Sequence, residues 1–288
     1  MTDATDTTAT ASGWAREFRK IHSNKMLMIG GIVMIIFLIA LLVGPNATGY
    51  EFDKMNIRER FAPPSWAHPM GTDNFGRDTL ARIMQGARVS FLVGFLSVGI
   101  GLVGGMLIGA IAGFVGGLVD NLLMRVTDAL LAFPPLLLAV GLVAAIGPSI
   151  VTVSIVIGVI YIPRFARVMR GAVLSEASKE YVEAARALGQ DPWRILVFHI
   201  GPATLSPIIV LATIVFALAI IIEASLSFLG LGVPPPMPSW GGMLSESRTF
   251  MTKSLWMAIF PGVTISLAVL ALNLLGDGLR DYLDPKDY

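Results

Sequence analysis

Long apolar runs restrict the fold of this chain more than any other feature of its sequence. They cover, approximately, residues 26–44, 89–118, 122–145, 148–166, 203–222 and 254–275. Runs of this length can cross a hydrocarbon core of about 30 Å, where a helix satisfies its backbone hydrogen bonds within one segment. Charged residues make up 14% of the chain, against roughly 25% in soluble domains. The sequence therefore predicts an all-α membrane protein with about six transmembrane helices.

The apolar runs also divide the chain into segments. We expect an N-terminal tail (1–25), a first transmembrane helix (26–44), an external loop (45–88), a core of five helices (89–276) and a C-terminal tail (277–288). The first run is longer than the apolar region of a signal peptide, so we interpret it as a retained helix. Lys and Arg are more frequent in the segments that lie on the side of the two termini, which predicts that both termini are cytoplasmic.

Small residues mark one face of the second apolar run. Glycine occupies every fourth position at Gly101, Gly105, Gly109 and Gly113. This spacing lets a neighbouring helix approach closely, and close packing drives helix association in lipid. We interpret the face as a contact within the chain, with a contact to a second subunit as the alternative. The run is too long for one upright helix, so it is expected to tilt or to break near Gly116-Gly117.

Prolines and polar groups inside the runs predict three further features. Pro134 and Pro135 should bend the third run, because proline removes a backbone donor. Arg125 and Asp128 lie three residues apart on that run, so they could pair on one helix face. Glu223 ends a continuous apolar run. We expect it to line the outer half of a pathway or, alternatively, to fix the depth of its helix at the interface.

A polar, helix-forming segment at about 175–202 separates two of the apolar runs. Its first part is rich in Ala, Glu, Lys and Arg, which favour an α-helix. One face of that helix is predicted to carry Tyr181, Ala184, Ala185 and Leu188. Gly189 supplies a left-handed stop, Asp191 can cap a second helix, and Pro192 suits its first position. The segment should therefore form a helix, a glycine turn and a second helix at the cytoplasmic end; a helix that only anchors in headgroups is the alternative.

The same segment resembles the EAA loop of bacterial ABC importer permeases, through which members of that family contact their ATPases. The matching positions are Glu183, Ala184, Ala185, Gly189 and Pro202. Gly201 departs from the pattern, since the family typically has leucine there. Three further segments are similar to the C-type permease of the dipeptide, oligopeptide and nickel importers: residues 68–78, 226–241 and 276–285.

The resemblance implies the fold of a type I ABC importer transmembrane domain in the bacterial cytoplasmic (inner) membrane. It implies a heterodimer with a B-type permease, two ABC ATPase subunits or domains that bind ATP and Mg²⁺, and an external substrate-binding protein. The residues implied in coupling to the ATPases are Glu183, Ala184, Ala185, Gly189, Asp191, Pro192 and Pro202. The implied substrate is a di- or oligopeptide, with nickel chelates, glutathione or other small solutes as alternatives.

Other classes of protein are disfavoured by what the sequence lacks. It contains no cysteine and no Gly-x4-Gly-Lys-Ser/Thr loop, which argues against thiol chemistry and against the usual mode of ATP binding. Its three histidines are scattered and predict no metal site. The net charge of +1 does not favour nucleic acid. We expect a transport subunit without enzymatic activity; an ion-coupled secondary transporter is the less favoured alternative.

Overall fold

The computed structural model describes residues 24–283, except for the side chains of residues 45–47. Most of the predicted N-terminal tail and the last five residues of the predicted C-terminal tail lie outside the described residues. Within the described part the chain is helical, and its recorded β-type pairing is an isolated bridge between Thr72 and Asp78. The all-α prediction is therefore confirmed.

The longest connection between the described helices is residues 48–78, between the first two. The helices are α1 (Lys25–Ala47), α2 (Thr79–Val115), α3 (Gly117–Leu131), α4 (Pro135–Ile146), α5 (Ile150–Ala177), α6 (Glu180–Ala187), α7 (Pro192–Ile195), α8 (Gly201–Ala203), α9 (Leu205–Phe228), α10 (Trp240–Ser247) and α11 (Trp256–Leu283). A π-helical turn (Leu196–Ile200) joins α7 to α8, and 3₁₀ turns cover Ile57–Glu59 and Arg248–Phe250. Five of these helices, α1, α2, α5, α9 and α11, are long and apolar enough to cross a membrane.

The predicted third transmembrane helix is broken in the structure. It consists of α3 and α4, which meet at an angle of 86°. Pro135 is the first residue of α4, so the chain turns sharply where a kink was predicted. The described part of the chain therefore has five candidate spans, or six if the bent pair counts as one.

Helix α2 begins at Thr79, ten residues before the predicted start at 89, so the last part of the predicted external loop is helical. Its first turn forms because the Asp78 carboxylate accepts a hydrogen bond from Ala81 N at 2.7 Å. Arg88 is also helical, and its Nε donates to the carbonyl oxygen of Leu41 in α1 at 2.7 Å. Pro45, four residues after Leu41, has no backbone N–H to donate to that carbonyl. The arginine therefore satisfies an acceptor that the helix itself leaves unpaired.

The predicted break after the second run is confirmed. Helix α2 ends at Val115, and Gly116 follows with a φ of 69°, in the left-handed region that glycine adopts without strain. The chain turns there and continues directly as α3.

The C-terminal boundary also differs from the prediction. We expected a tail from residue 277, but α11 continues to Leu283. Gly278 packs so closely on α1 that a methyl group placed there would lie 2.5 Å from Leu27 N. Asn24 Nδ2 donates to the carbonyl oxygen of Gly278 at 3.2 Å. Contact with α1 thus stabilises the last turns of α11.

The core lies where α2 crosses α5, which is the most extensive helix pairing in the described structure. The glycine face of α2 lies against the backbone of α5. A methyl group on Gly105 would lie 2.8 Å from the carbonyl oxygen of Ile162, and one on Gly113 would lie 2.9 Å from that of Arg170. Gly101 and Gly109 face the same helix. The glycine spacing therefore belongs to a contact within this chain.

We expect Gly109→Ala to destabilise the protein, because the added methyl would lie 2.8 Å from Met169 Cβ. Overpacking of this kind costs about 1–3 kcal/mol. Gly99 on the same helix has nothing within 4 Å of such a methyl, so Gly99→Ala is the matched control. Thermal unfolding in detergent should show a lower midpoint for Gly109→Ala than for Gly99→Ala, and equal midpoints would contradict the close packing.

Candidate coupling surface and outer charge network

The polar segment after α5 forms two helices joined by a glycine turn, as predicted. Gly189 adopts a φ of 74°, its N–H donates to the carbonyl oxygen of Arg186 at 2.9 Å, and Gln190 N donates to that of Ala185 at 3.2 Å. This pair of bonds is a Schellman motif. Asp191 then caps the second helix by accepting a hydrogen bond from Arg194 N at 3.3 Å. The segment from Lys179 to Thr204 is called the elbow below.

The structure shows which side of α6 faces the core, which the spacing of its residues alone did not predict. Val182 and Ala185 are buried, whereas Tyr181, Ala184 and Leu188 are exposed. The inward side of so short a helix is set by what it packs on rather than by its own sequence pattern.

The inner face of the elbow belongs to the main core of the protein. Val182, Ile195 and Ile200 are fully buried and share one apolar cluster with Phe165 and Val173 of α5. Because side chains in such a cluster are close-packed, a displacement of the elbow must also displace α5. Helix α9 follows the elbow directly in the chain.

The outer face of the elbow is exposed and partly apolar. Leu188 is 80% exposed and Phe198 70% exposed, and Trp193 lies between them in sequence. Among the predicted coupling residues, Ala185 alone is buried, and those on the surface are Glu183, Ala184, Gly189, Asp191, Pro192 and Pro202. Three large apolar side chains exposed within one short segment make it a candidate surface for contact with another protein or a membrane.

The elbow also contacts the end of α2. The ring of Trp193 lies 6.4 Å from that of Phe114. The guanidinium of Arg186 lies 5.9 Å from the centre of the same Phe114 ring. The elbow is therefore in contact with α2 as well as with α5.

Two ion pairs join α3 to α5. Arg170 donates to both carboxylate oxygens of Asp120, at 2.5 and 2.6 Å, and Arg167 donates to Asp128 at 2.6 Å. The predicted pair between Arg125 and Asp128 is thus wrong. Arg167 on the facing helix α5 binds the Asp128 carboxylate instead. A pattern within one helix cannot predict such a contact between helices.

A charge network, called the outer network because the sequence predicts this side to be external, lies at the other end of α2 and holds the segment before α2 against α10. Arg77 Nε donates to Asp73 at 2.6 Å, and Arg82 contacts the same Asp73 oxygen. Arg82 also donates to both carboxylate oxygens of Glu246, at 2.9 and 3.1 Å, and Arg77 to one of them at 3.2 Å. Asp73, Arg77 and Arg82 are buried. Two arginines and two carboxylates thus join the segment before α2 to α10.

The sequence motif at 68–78 has a structural role in this region. His68 Nδ1 lies 2.8 Å from Asp78 Oδ2, and the His68 ring lies 4.7 Å from that of Tyr50. Asp73 Oδ1 accepts hydrogen bonds from Phe75 N and Arg77 N. The motif therefore fixes the start of α2. Sequence reasoning missed Glu246, since no local pattern relates it to residues more than 160 positions away.

Glu223 does not line a pathway in this structure. Its side chain is fully buried and accepts hydrogen bonds from Ser90 Oγ at 3.0 Å and from Ser227 Oγ at 2.7 Å. Ser239 Oγ, which caps α10, donates to Ser227 Oγ at 3.1 Å. The carboxylate joins α2, α9 and α10 through serine hydroxyls, because a buried polar group requires such partners.

Metal-binding groups of three or more acidic or histidine side chains are absent among the described residues. His68 belongs to the outer network, His199 belongs to the elbow, and His22 lies outside the described residues.

Comparison with known proteins places this geometry in context. A family model described as a binding-protein-dependent transport system inner membrane component matches residues 105–286. That match includes the elbow, α5 and the part of α2 from Gly105 onward. A second model, described as the N-terminal TM domain of oligopeptide transport permease C, matches residues 12–64.

Individual relatives are similar over almost the whole chain. A dipeptide transport system permease protein of Alkalihalophilus pseudofirmus is 44% identical, over 96% of this chain and 90% of that protein. A di/tripeptide transport system permease protein of Pseudomonas aeruginosa is 40% identical, over 94% of this chain and 92% of its own length. A glutathione transport system permease protein of Pectobacterium atrosepticum is 41% identical, with 94% and 91% covered.

Proposed function

Since this chain belongs to the family of binding-protein-dependent transport system inner membrane components, and resembles its dipeptide and oligopeptide permeases of the C type, we propose that it forms the translocation pathway of an ATP-driven peptide importer. It is a multi-pass inner-membrane subunit that works in a transporter complex with other subunits. Its partners in this proposal are a B-type permease, two ABC ATPase subunits or domains, and an external substrate-binding protein. ATP and Mg²⁺ bind to the ATPases.

One observation carries the proposal: the elbow has one face in the core and one face exposed. The exposed face, with Glu183, Leu188 and Phe198, offers a charge and apolar side chains to a groove on a partner. The buried face transmits displacement to α5 and α9. In this account the elbow and both termini lie in the cytoplasm, where the ATPases are.

The mechanism follows from this connection. When ATP binding closes the ATPases, the grooves that hold the elbows move, and each elbow moves with them. The close glycine packing makes α2 and α5 a stiff pair, so the displacement reaches the outer ends of the helices. The pathway between the two permeases then changes its open side, and hydrolysis resets it.

Peptides are the favoured substrate because permeases at 44% and 40% identity are named for dipeptides and for di- and tripeptides. Glutathione is the second candidate, since a relative at 41% identity is named for its transport. Glutathione is itself a small peptide with free carboxylates, so both candidates are short, charged peptides.

Uptake by proteoliposomes tests the proposal. We expect the purified complex, with its binding protein outside and ATP inside, to accumulate a tritiated dipeptide, and glutathione less well. Vesicles that contain this chain alone, with a proton or sodium gradient, should accumulate neither. Gradient-driven uptake by the single chain would favour a secondary transporter, and a complex that imports neither solute would refute a peptide importer.

A further inference from the structure

A pocket of about 250 Å³ opens beside the outer charge network. It lies between the α4–α5 connection, the loop after α9 and helix α10. Its lining includes Arg77, Arg82, Glu246, Pro148, Ser227 and Pro235. The volume is smaller than that of drug-sized sites, which are about 300–1,000 Å³, so it suits a dipeptide or the end of a longer peptide.

The two carboxylates of the network are not equivalent. The Asp73 side chain is 5% exposed and the Glu246 side chain is 34% exposed, while those of Arg77 and Arg82 are 9% and 3% exposed. Asp73 therefore holds the arginines from the buried side. Glu246, which lines the pocket together with both arginines, holds them from the accessible side.

The arginines also have unused donor capacity. Arg82 Nε is buried without a hydrogen-bond partner, and the bonds from Arg77 to carboxylates use only its Nε and Nη2. A guanidinium binds a carboxylate with two parallel bonds in the best geometry. An accessible carboxylate between two buried guanidinium groups can therefore be exchanged for another carboxylate without leaving the arginines unpaired.

We propose that this pocket binds the C-terminal carboxylate of a peptide on Arg77 and Arg82, in exchange for Glu246. The released Glu246 carboxylate is then free to bind the peptide ammonium group, so the pocket matches both charges of a short peptide. The inference rests on the proposed function and adds a site for the charged ends of the peptide on the permease itself. The lining from the α4–α5 connection and from the loop after α9 allows the bound peptide to touch elements next to the bent helix pair.

Binding to the assembled transporter in nanodiscs, without the binding protein, tests the proposal. The probe is tritiated alanyl-leucine, compared with its C-terminal amide. We expect the amide to bind about tenfold more weakly, because a charge-assisted hydrogen bond is worth about 1.5–3 kcal/mol. Equal binding of the two compounds, or complete displacement of alanyl-leucine by equimolar inorganic phosphate, would overturn the proposal.

Two substitutions should shift this affinity in opposite directions. Glu246→Gln replaces the competing carboxylate by a neutral amide, so alanyl-leucine should bind more tightly, by several-fold. Arg77→Gln removes a donor, so it should bind more weakly. Arg248→Gln is the control, because Arg248 does not line the pocket. Its guanidinium lies over the ring of Phe228, 4.9 Å from the ring centre. A purely structural role predicts that Glu246→Gln and Arg77→Gln both lose binding.

The outcome also separates this inference from the proposed function. A transporter that imports dipeptides with ATP but binds alanyl-leucine equally before and after both substitutions would refute the pocket alone. A transporter that imports no peptide would refute both.

Discussion

Replacing Gly189 with proline should strongly reduce peptide uptake while the protein still inserts into the membrane. Gly189 has a φ of 74°, whereas proline is fixed near −65° and costs about 3 kcal/mol where it does not fit. Proline would also remove the N–H that bonds to Arg186. The turn would open and the two elbow helices would no longer present one surface. We expect ATP-driven uptake to fall by about tenfold or more, with ATP hydrolysis by the complex retained.

The matched control is Gly189→Asn. Asparagine tolerates the left-handed conformation and keeps its backbone N–H, so uptake should remain close to the wild-type rate. Uptake and ATP hydrolysis are measured in the same proteoliposomes, and membrane insertion is checked on the same samples. Normal uptake by Gly189→Pro would show that the turn is not needed for coupling.

Asp73→Asn should produce the largest loss of stability outside the helix contacts. Asp73 accepts from Arg77 and contacts Arg82, and all three side chains are buried. Removing one partner from a buried ion pair costs about 3–5 kcal/mol, and here Glu246 alone would remain to compensate two arginines. The midpoint of thermal unfolding in detergent should fall clearly.

Asp53→Asn is the control for this prediction, because Asp53 is an exposed acid on the same external segment. A surface change of this kind is expected to alter the free energy of unfolding by no more than about 0.5 kcal/mol. If the two variants unfolded at the same temperature, the outer network would contribute nothing to stability.

Local sequence was enough to predict the turns of the elbow but not its packing. The glycine stop and the aspartate cap depend on residues within one turn, and both form as expected. Helical spacing placed Tyr181, Ala184, Ala185 and Leu188 on one face, but it did not identify Val182 as the residue that packs inward. That choice depends on contacts with α5, which a single-helix pattern does not contain.

The partners of charged residues near the spans also could not be predicted from local sequence. The predicted start at 89 is where the apolar run begins, after Arg82 and Arg88, whereas α2 begins at Thr79. The structure pairs Arg82 with Glu246 of α10 and Arg88 with carbonyl oxygens of α1. Glu223 was expected to face a pathway, and serines from two other elements account for its burial instead. The partners of each group are distant in sequence.

Site-directed labelling and crosslinking test the central claim most directly, and the absence of native cysteine makes both possible. Leu188→Cys places a thiol on the exposed elbow, and Trp66→Cys places one on the external segment, where Trp66 is fully exposed. We expect a membrane-impermeant maleimide to label Trp66→Cys from outside intact cells and Leu188→Cys only after access to the cytoplasm. We also expect Leu188→Cys to crosslink to an ATPase subunit in the working complex. Labelling of Leu188→Cys from outside, or no crosslink to an ATPase in a complex that transports, would contradict the account.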